Sequence, residues 1–308
     1  MTHKIDSAAT EGDILWCPSD VRKNNSNLTQ YNQWLRRELG KSFSDYQSLH
    51  AWSVSEPDAF WRSIWTYFRI SGEAEFATVL QSGNGMFEAR WFEGARLNYA
   101  EHLLRMEADD PHAPAICHGS ETTAPATISR GDLGALVRKL ATELRAIGVG
   151  PGDRVVSCMP NVPECAIAMM ATVAIGAVWA AAAPECGEQT IVDRFAQVSP
   201  KVLFAADGYR FGGKAFDRRE VVTSAAARLP SLSTIIWLPI LDLDLPSNSP
   251  VPLVEYSTLL AGPDVAPGEF RYERVPSNHP LWILFSSGTT GIPKAIAHSH
   301  PGVLAEHF

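Results

Sequence analysis

A chain of 308 residues with 45% hydrophobic content can bury one large or two modest cores, which excludes a disordered or fibrous polypeptide. Its formal net charge of -8 provides no basic footprint for a nucleic-acid partner, so any anion it binds must be held locally. The five cysteines, Cys17, Cys117, Cys158, Cys165 and Cys186, are odd in number and contain no Cys-x-x-Cys pair, which reads as reduced thiols in a cytoplasmic protein.

The N-terminal stretch MTHKIDSAATEGD lacks the apolar core of a signal peptide. Beyond it, Trp34, Trp52, Trp61 and Trp65 sit in segments that read as short amphipathic helices. Phe60, Trp61, Ile64, Trp65 and Phe68 recur at three- and four-residue spacing and make one apolar face. Residues 1–95 are expected to form a helical segment that packs on something larger.

From Ser129 onward helix and strand alternate. Ser129 is placed to cap a helix with Asp132 at its third position and Leu133, Leu136, Val137, Leu140, Leu144 and Ile147 on its apolar face, ended by Gly148. Strands are then predicted over 154–158, 178–183, 201–206 and 234–238, and helices over 162–175, 189–197 and 218–228. This series calls for an α/β fold, a parallel sheet covered by helices on both faces. The alanine-rich run from Cys165 to Ala183 carries no charge, but Gly176 divides it into a buried helix and a strand, so no membrane span is predicted. Between Pro239 and Pro280 the chain turns proline-rich and aperiodic, a long surface excursion with little regular structure.

That excursion delivers the chain to Leu281–Lys294, LWILFSSGTTGIPK, an apolar strand running into a Ser/Thr/Gly-rich loop that closes on Pro293 and Lys294. Ser286, Ser287, Thr289 and Thr290 offer hydroxyls, Gly288 and Gly291 permit close backbone approach, and Lys294 adds a movable positive charge. The pattern suits a nucleotide polyphosphate. It is not a Walker A loop, because Lys294 is followed by Ala295 rather than Ser or Thr. A serine nucleophile would want a Gly-x-Ser-x-Gly elbow that is lacking here. His298, His300 and His307 have no cysteine or carboxylate companion, so no metal site is assigned to them.

The loop resembles the signature of the adenylate-forming (AMP-dependent synthetase/ligase) family of acyl-CoA synthetases. Trp91–Arg105 (WFEGARLNYAEHLLR), Asp153–Glu164, Ile175–Gly187 and Val192–Lys214 extend the likeness over nearly the whole chain, and WFEGARLNYAE with DGYRFGGK resembles the acetoacetate-activating branch more than the acetate-activating one. Residues 1–95 resemble the helical N-terminal cap of such enzymes, and the resemblance implies that residues 96–308 are the first part of their AMP-binding large domain, cut after the phosphate loop. The resemblance implies ATP, Mg²⁺ and coenzyme A as cofactors, with Ser286, Ser287, Gly288, Thr289, Thr290, Gly291 and Lys294 around the ATP phosphates and Arg194 near coenzyme A. Arg210, Gly212, Gly213 and Lys214 form a basic turn near it, and Asp193 is positioned to occupy the charge of Arg194.

It implies the ligation of a short-chain acid, acetoacetate first and acetate or propionate next, through an acyl-adenylate. A non-catalytic nucleotide- or CoA-binding remnant is the alternative. Small molecules are the expected partners, without nucleic acid or membrane, and the oligomeric state is left open. Family members are much longer, so catalytic, adenine, ribose and acyl-pocket residues are expected beyond Phe308, and the chain alone is expected to be marginally folded and inactive as a ligase.

Overall fold

The computed structural model describes residues 11–73, 76, 78–85, 88–286 and 291–307, and the chain divides into two compact units, Met1–Arg69 and Ile70–Phe308. In the first unit, α1 (Asp20–Asn24), α2 (Asn27–Leu39), α3 (Tyr46–Ser55) and α4 (Pro57–Tyr67) surround Tyr31, Leu35, Leu49 and Trp52. The start signals are local: Ser26 caps α2, Asp45 and Ser48 form a capping box on α3, and Pro57 opens α4. Of the expected apolar face of α4, Phe60 and Ile64 pack on that cluster, joined by Tyr67, which the spacing did not include. Burial pushes the Tyr31 phenol up to about 12, and its hydroxyl bonds Ser63 at 2.5 Å.

The second unit is built on a seven-stranded sheet among the described residues. Its strands are β1 (Arg154–Cys158), β2 (Val178–Ala181), β3 (Val202–Ala206), β4 (Thr234–Leu238), β5 (Leu253–Glu255), β6 (Pro280–Phe285) and β7 (Ala295–Ser299). The spatial order is β5-β4-β3-β1-β2-β6-β7. Every neighbouring pair is parallel except β6 and β7. The antiparallel edge departs from the expected all-parallel sheet, because a short connection between adjacent strands can only make a hairpin.

Helices cover both faces. Helix α6 (Arg130–Ala146) packs against α7 (Pro163–Ala174), which also meets α5 (Tyr99–Leu104), while α8 (Glu188–Phe195) packs with α9 (Arg219–Ala227). The period of two along each strand allots the side chains. Val156, Leu203, Ala205, Ile235 and Trp237 share one core with Ile191 and Phe195 of α8 and Val222 and Ala225 of α9. On alternate positions Ser157 bonds Cys165 of α7 and Phe204 meets Tyr256. Trp237, Phe195 and Phe204 are fully buried, each stabilising by about 1.5–3 kcal/mol relative to exposure.

The helix after Ser129 forms as predicted, with the Ser129 hydroxyl accepting from Asp132 N and Gly148 taking a positive φ just past its end. The run 165–183 becomes the buried end of α7 and β2, and no described helix is long and apolar enough to cross a membrane. Two segments are more ordered than expected. The proline-rich stretch 239–280 contributes the edge strand β5 and α10 (Tyr256–Leu259), and Val275–Pro276 pairs with Arg96–Leu97. Strands of two or three residues carry too little sequence to show a period, and their order comes from the partner backbone. Likewise the turn at Gly212–Gly213 is the tip of a hairpin joining Gly208–Phe211 to Lys214–Asp217.

Asn98 fastens the unit together from inside. Fully buried, its Nδ2 donates to Val173 O at the end of α7 and to Glu273 O, each at 2.8 Å, while its Oδ1 accepts from Ala100 N and caps α5. Asn98→Ala would take the partner from Glu273 O and Ala100 N and leave Val173 O with backbone donors alone, Gly176 N among them, at a cost of roughly 2–4 kcal/mol. A clear fall in the urea midpoint is expected; a midpoint within error of the parent would contradict this role.

Candidate functional site

The loop leaves the sheet at the carboxyl end of β6, which is parallel to β2. That is the edge where open α/β sheets bind ligands. Phe285 pairs with Ala295 as the last ladder position, and beyond it the chain closes its own neck. Ser286 N donates to Lys294 O at 3.0 Å, and Lys294 N donates to Ser286 Oγ at 3.3 Å. The Ser286 hydroxyl thus accepts from the loop and keeps its proton for a ligand oxygen. Gly291 has φ +146, a conformation that a side chain would strain. Lys294 is exposed, so its ammonium can reach a ligand from the rim. The structure therefore brings Ser286, Gly291 and Lys294 together; Ser287, Gly288, Thr289 and Thr290 lie outside the described residues.

A side chain that the sequence does not single out completes the neck. Gln197, just past the end of α8, donates its amide to Pro293 O at 2.9 Å and to Asp193 O at 2.7 Å. Nothing in its spacing marks it, because a polar residue after a helix is ordinary.

Arg194 of the same helix lies with its guanidinium carbon 6.0 Å from the centroid of the Phe285 ring. It donates to Cys186 Sγ at 3.4 Å. Asp193 does not take this charge, because its carboxylate accepts from Gln189 Nε2 at 2.5 Å, one turn back along α8. The Nε atoms of Arg194 and Arg218 are buried without a partner among the described residues. Arg218 donates through its terminal nitrogen to Cys186 O. Two guanidinium groups thus flank the Cys186 turn, each with one buried N–H left unpaired among the described residues.

The basic turn is held differently. Gly212 and Gly213, with φ +59 and +73, both point their N–H groups at the Glu121 carboxylate at 2.8 Å. Those two bonds hold its carboxyl below the usual range. A cavity of about 900 Å³, bordered by Gln81, Arg90, Trp91, Asn278 and His298, lies at the opposite end of β6 from the loop. Its size does not make it the nucleotide site; the donor-bearing neck is the better candidate on chemistry.

The histidines near the loop have structural partners. His300 is fully buried and its Nδ1 accepts from Tyr99 N at 3.0 Å, while His307 Nδ1 meets the Tyr99 hydroxyl at 2.8 Å. Burial, reinforced by His279, lowers His300 to about 3. His102 is lowered to about 4, chiefly by burial and further by Arg105. Neutral imidazoles therefore serve as internal hydrogen-bond partners here. Among the described residues no group of three or more His, Cys, Asp or Glu could hold a metal ion.

Comparison with known proteins gives a consistent picture. Residues 105–308 match the family model described as AMP-binding enzyme, and residues 46–103 the one described as acetyl-coenzyme A synthetase N-terminus. Acetoacetyl-coenzyme A synthetase of Rhizobium meliloti (strain 1021) is 39% identical over 296 residues, which cover 96% of this chain and 44% of that protein. Malonamoyl-CoA synthetase vrtB of Penicillium aethiopicum is 33% identical over 305 residues, covering 96% and 42%. The solved structure of acetoacetyl-CoA synthetase from Streptomyces lividans superposes with a TM-score of 0.88 at 42% identity, covering 95% of this chain and 44% of that one. The chain thus spans less than half the length of these relatives.

The buried imidazoles make stability depend on pH. An unfolded histidine titrates near 6.5, whereas His300 and His102 resist protonation down to about 3 and 4. Between those limits the unfolded chain takes up protons that the folded protein refuses, so stability is full above 6.5 and drains as pH falls. The urea midpoint should drop between pH 7 and 5, where most carboxylates stay ionised, and drop less steeply in His300→Gln. A pH-independent midpoint over that range would show that these rings are not held neutral.

Proposed function

This chain belongs to the AMP-binding enzyme family, and on that premise we propose that it forms part of an ATP-dependent acid-CoA ligase whose phosphate cradle is the loop from Ser286 to Lys294. The observation that carries the reading is the closed neck, which fixes the bases of both loop arms at the carboxyl edge of the sheet. Polyphosphate recognition asks for donors and one mobile cation in a fixed frame, and Ser286 and Lys294 supply both kinds of group.

In this reading ATP is a substrate. A carboxylate attacks its α-phosphorus, pyrophosphate departs, and the thiol of coenzyme A then displaces AMP from the acyl-adenylate. The chain's own part is to orient the β- and γ-phosphates through Ser286, Ser287, Thr289, Thr290 and Lys294, with Gly288 and Gly291 allowing close approach, so that leaving-group charge develops against fixed donors. Mg²⁺ would supply charge neutralisation as part of the bound nucleotide; the described residues offer no ligand cluster for it, and no step is assigned to it. Arg194 is assigned to coenzyme A through the positive charge it places beside Cys186. The five free cysteines suit a reducing, cytoplasmic setting.

For the acid, we favour short carboxylic acids with a second carbonyl two carbons from the carboxyl carbon, acetoacetate first. Acetoacetate and malonamate share that feature, and the relatives named for them match this chain at 39% and 33% identity. Acetate and propionate lack it. Calorimetry with ATP should show an affinity loss of about tenfold or more in Lys294→Ala; equal affinity in the two proteins would remove the cradle from the reading. AMP release by the protein carrying this chain, assayed across the four acids, should be fastest with acetoacetate. ATP binding without AMP release from any acid would instead indicate a nucleotide-binding module.

A further inference from the structure

The peptide unit between Pro293 and Lys294 is gripped at both of its polar ends. Its N–H donates to Ser286 Oγ at 3.3 Å, and its carbonyl accepts from Gln197 Nε2 at 2.9 Å. Pro293 has no N–H and a restricted φ, so two bonds on this one peptide plane set the direction in which the backbone presents Lys294. The first bond is internal to the loop. Only the second reaches outside the β6–β7 hairpin, to a helix buried in the main core.

That helix is a stiff support. Ile191, Val192 and Phe195 of α8 lie in the core shared with β1 to β4, and the Phe195 and Phe285 ring centroids are 6.4 Å apart. The Gln197 amide spends its other hydrogen on Asp193 O, one of the carbonyls that the end of the helix leaves without an intrahelical partner. A primary amide has two donors, and here one is tied to the helix and the other to the loop. Arg194 reaches Phe285 from the same short segment. The departing arm of the loop is therefore braced through Phe285 and the returning arm through Pro293, both by α8.

We propose that Gln197 is a positioning residue for the phosphate cradle, acting through the Pro293 carbonyl to aim Lys294 at the nucleotide, and that α8 is the common mount of both loop arms. The role in nucleotide binding rests on the function proposed above, whereas the mechanical role does not. Gln197 touches no phosphate in this account; it sets the frame in which Lys294 works.

The test uses the whole chain in four forms: parent, Gln197→Ala, Gln197→Glu and Gln197→His. Glutamate keeps the shape but replaces both donors with acceptors facing two carbonyls, whereas histidine retains an N–H at similar reach. Amide hydrogen exchange is read first, without ligand, at Ser286 and Lys294. Faster exchange in the Ala and Glu forms and recovery toward parent values in the His form are expected, with thermal midpoints little changed. Parent-like exchange in the Ala and Glu forms overturns the proposal.

ATP affinity by calorimetry is read second, and a weakening of about two- to tenfold is expected in the Ala and Glu forms, the worth of one neutral hydrogen bond. If the parent binds ATP and these forms bind it equally well, Gln197 does not position the cradle. If the parent and Lys294→Ala bind ATP alike or not at all, the function proposed above fails, and the exchange data alone decide the mechanical claim.

Discussion

The site depends on one closure, the reciprocal pairing of Ser286 with Lys294 where β6 leaves the sheet and β7 returns. A loop rich in glycine and small hydroxyl residues has little side-chain packing of its own, so its geometry must be imposed at its ends. The ladder from Phe285 and Ala295 inward supplies one constraint, and the two hydrogen bonds across the neck, one of them to the Ser286 hydroxyl, supply the next. Ser286 and Lys294 are held facing each other because the backbone at the neck cannot splay. Burial of the sheet between two helical layers gives that neck a rigid base.

Much of this was legible in the sequence, and what was legible has a common physical character. The strand Thr234–Leu238, the helix from Ser129 to Gly148 and the division of the alanine-rich run at Gly176 all follow from periods and caps that act within a few residues. The strand that enters the loop was readable from its apolar run. Strand β5 was not readable, since three residues between prolines carry no period and find their order only by lying beside β4. The direction of β7 was equally hidden, although the short connection to β6 explains it once both are placed. Gln197 was invisible for a third reason: its partner, the Pro293 carbonyl, is common to every residue type and leaves no trace in composition.

The segment WFEGARLNYAEHLLR, which carries much of the family likeness, proves in part to be a fastener. Asn98 ties α5 to α7 and to Glu273, Tyr99 engages His300 through its backbone and His307 through its hydroxyl, and His102 accepts from Ser71 N. These contacts need particular donors and acceptors at particular positions, which a hydrophobic core does not. Such a block is demanding about residue type, because a lost polar partner costs more than a trimmed methyl group. This fastener and the candidate phosphate loop lie in different parts of the chain, joined by α11 (His300–Glu306), which follows β7 directly and brings His300, and His307 just past its end, to Tyr99.

The Gly212–Gly213 turn gives this unit a second kind of mechanical element. Its two amides converge on Glu121, a solvent-facing carboxylate from another ribbon, so an ionic tether rather than packing restrains the arm bearing Arg210 and Lys214. Those bonds favour the charged form and lower the carboxyl's pKa, so the tether endures mild acidity and slackens only as pH falls through that lowered value. The sheet has no such dependence on an exposed charge. One molecule thus combines a body whose stiffness comes from exclusion of water with an appendage whose stiffness is set by the surrounding medium.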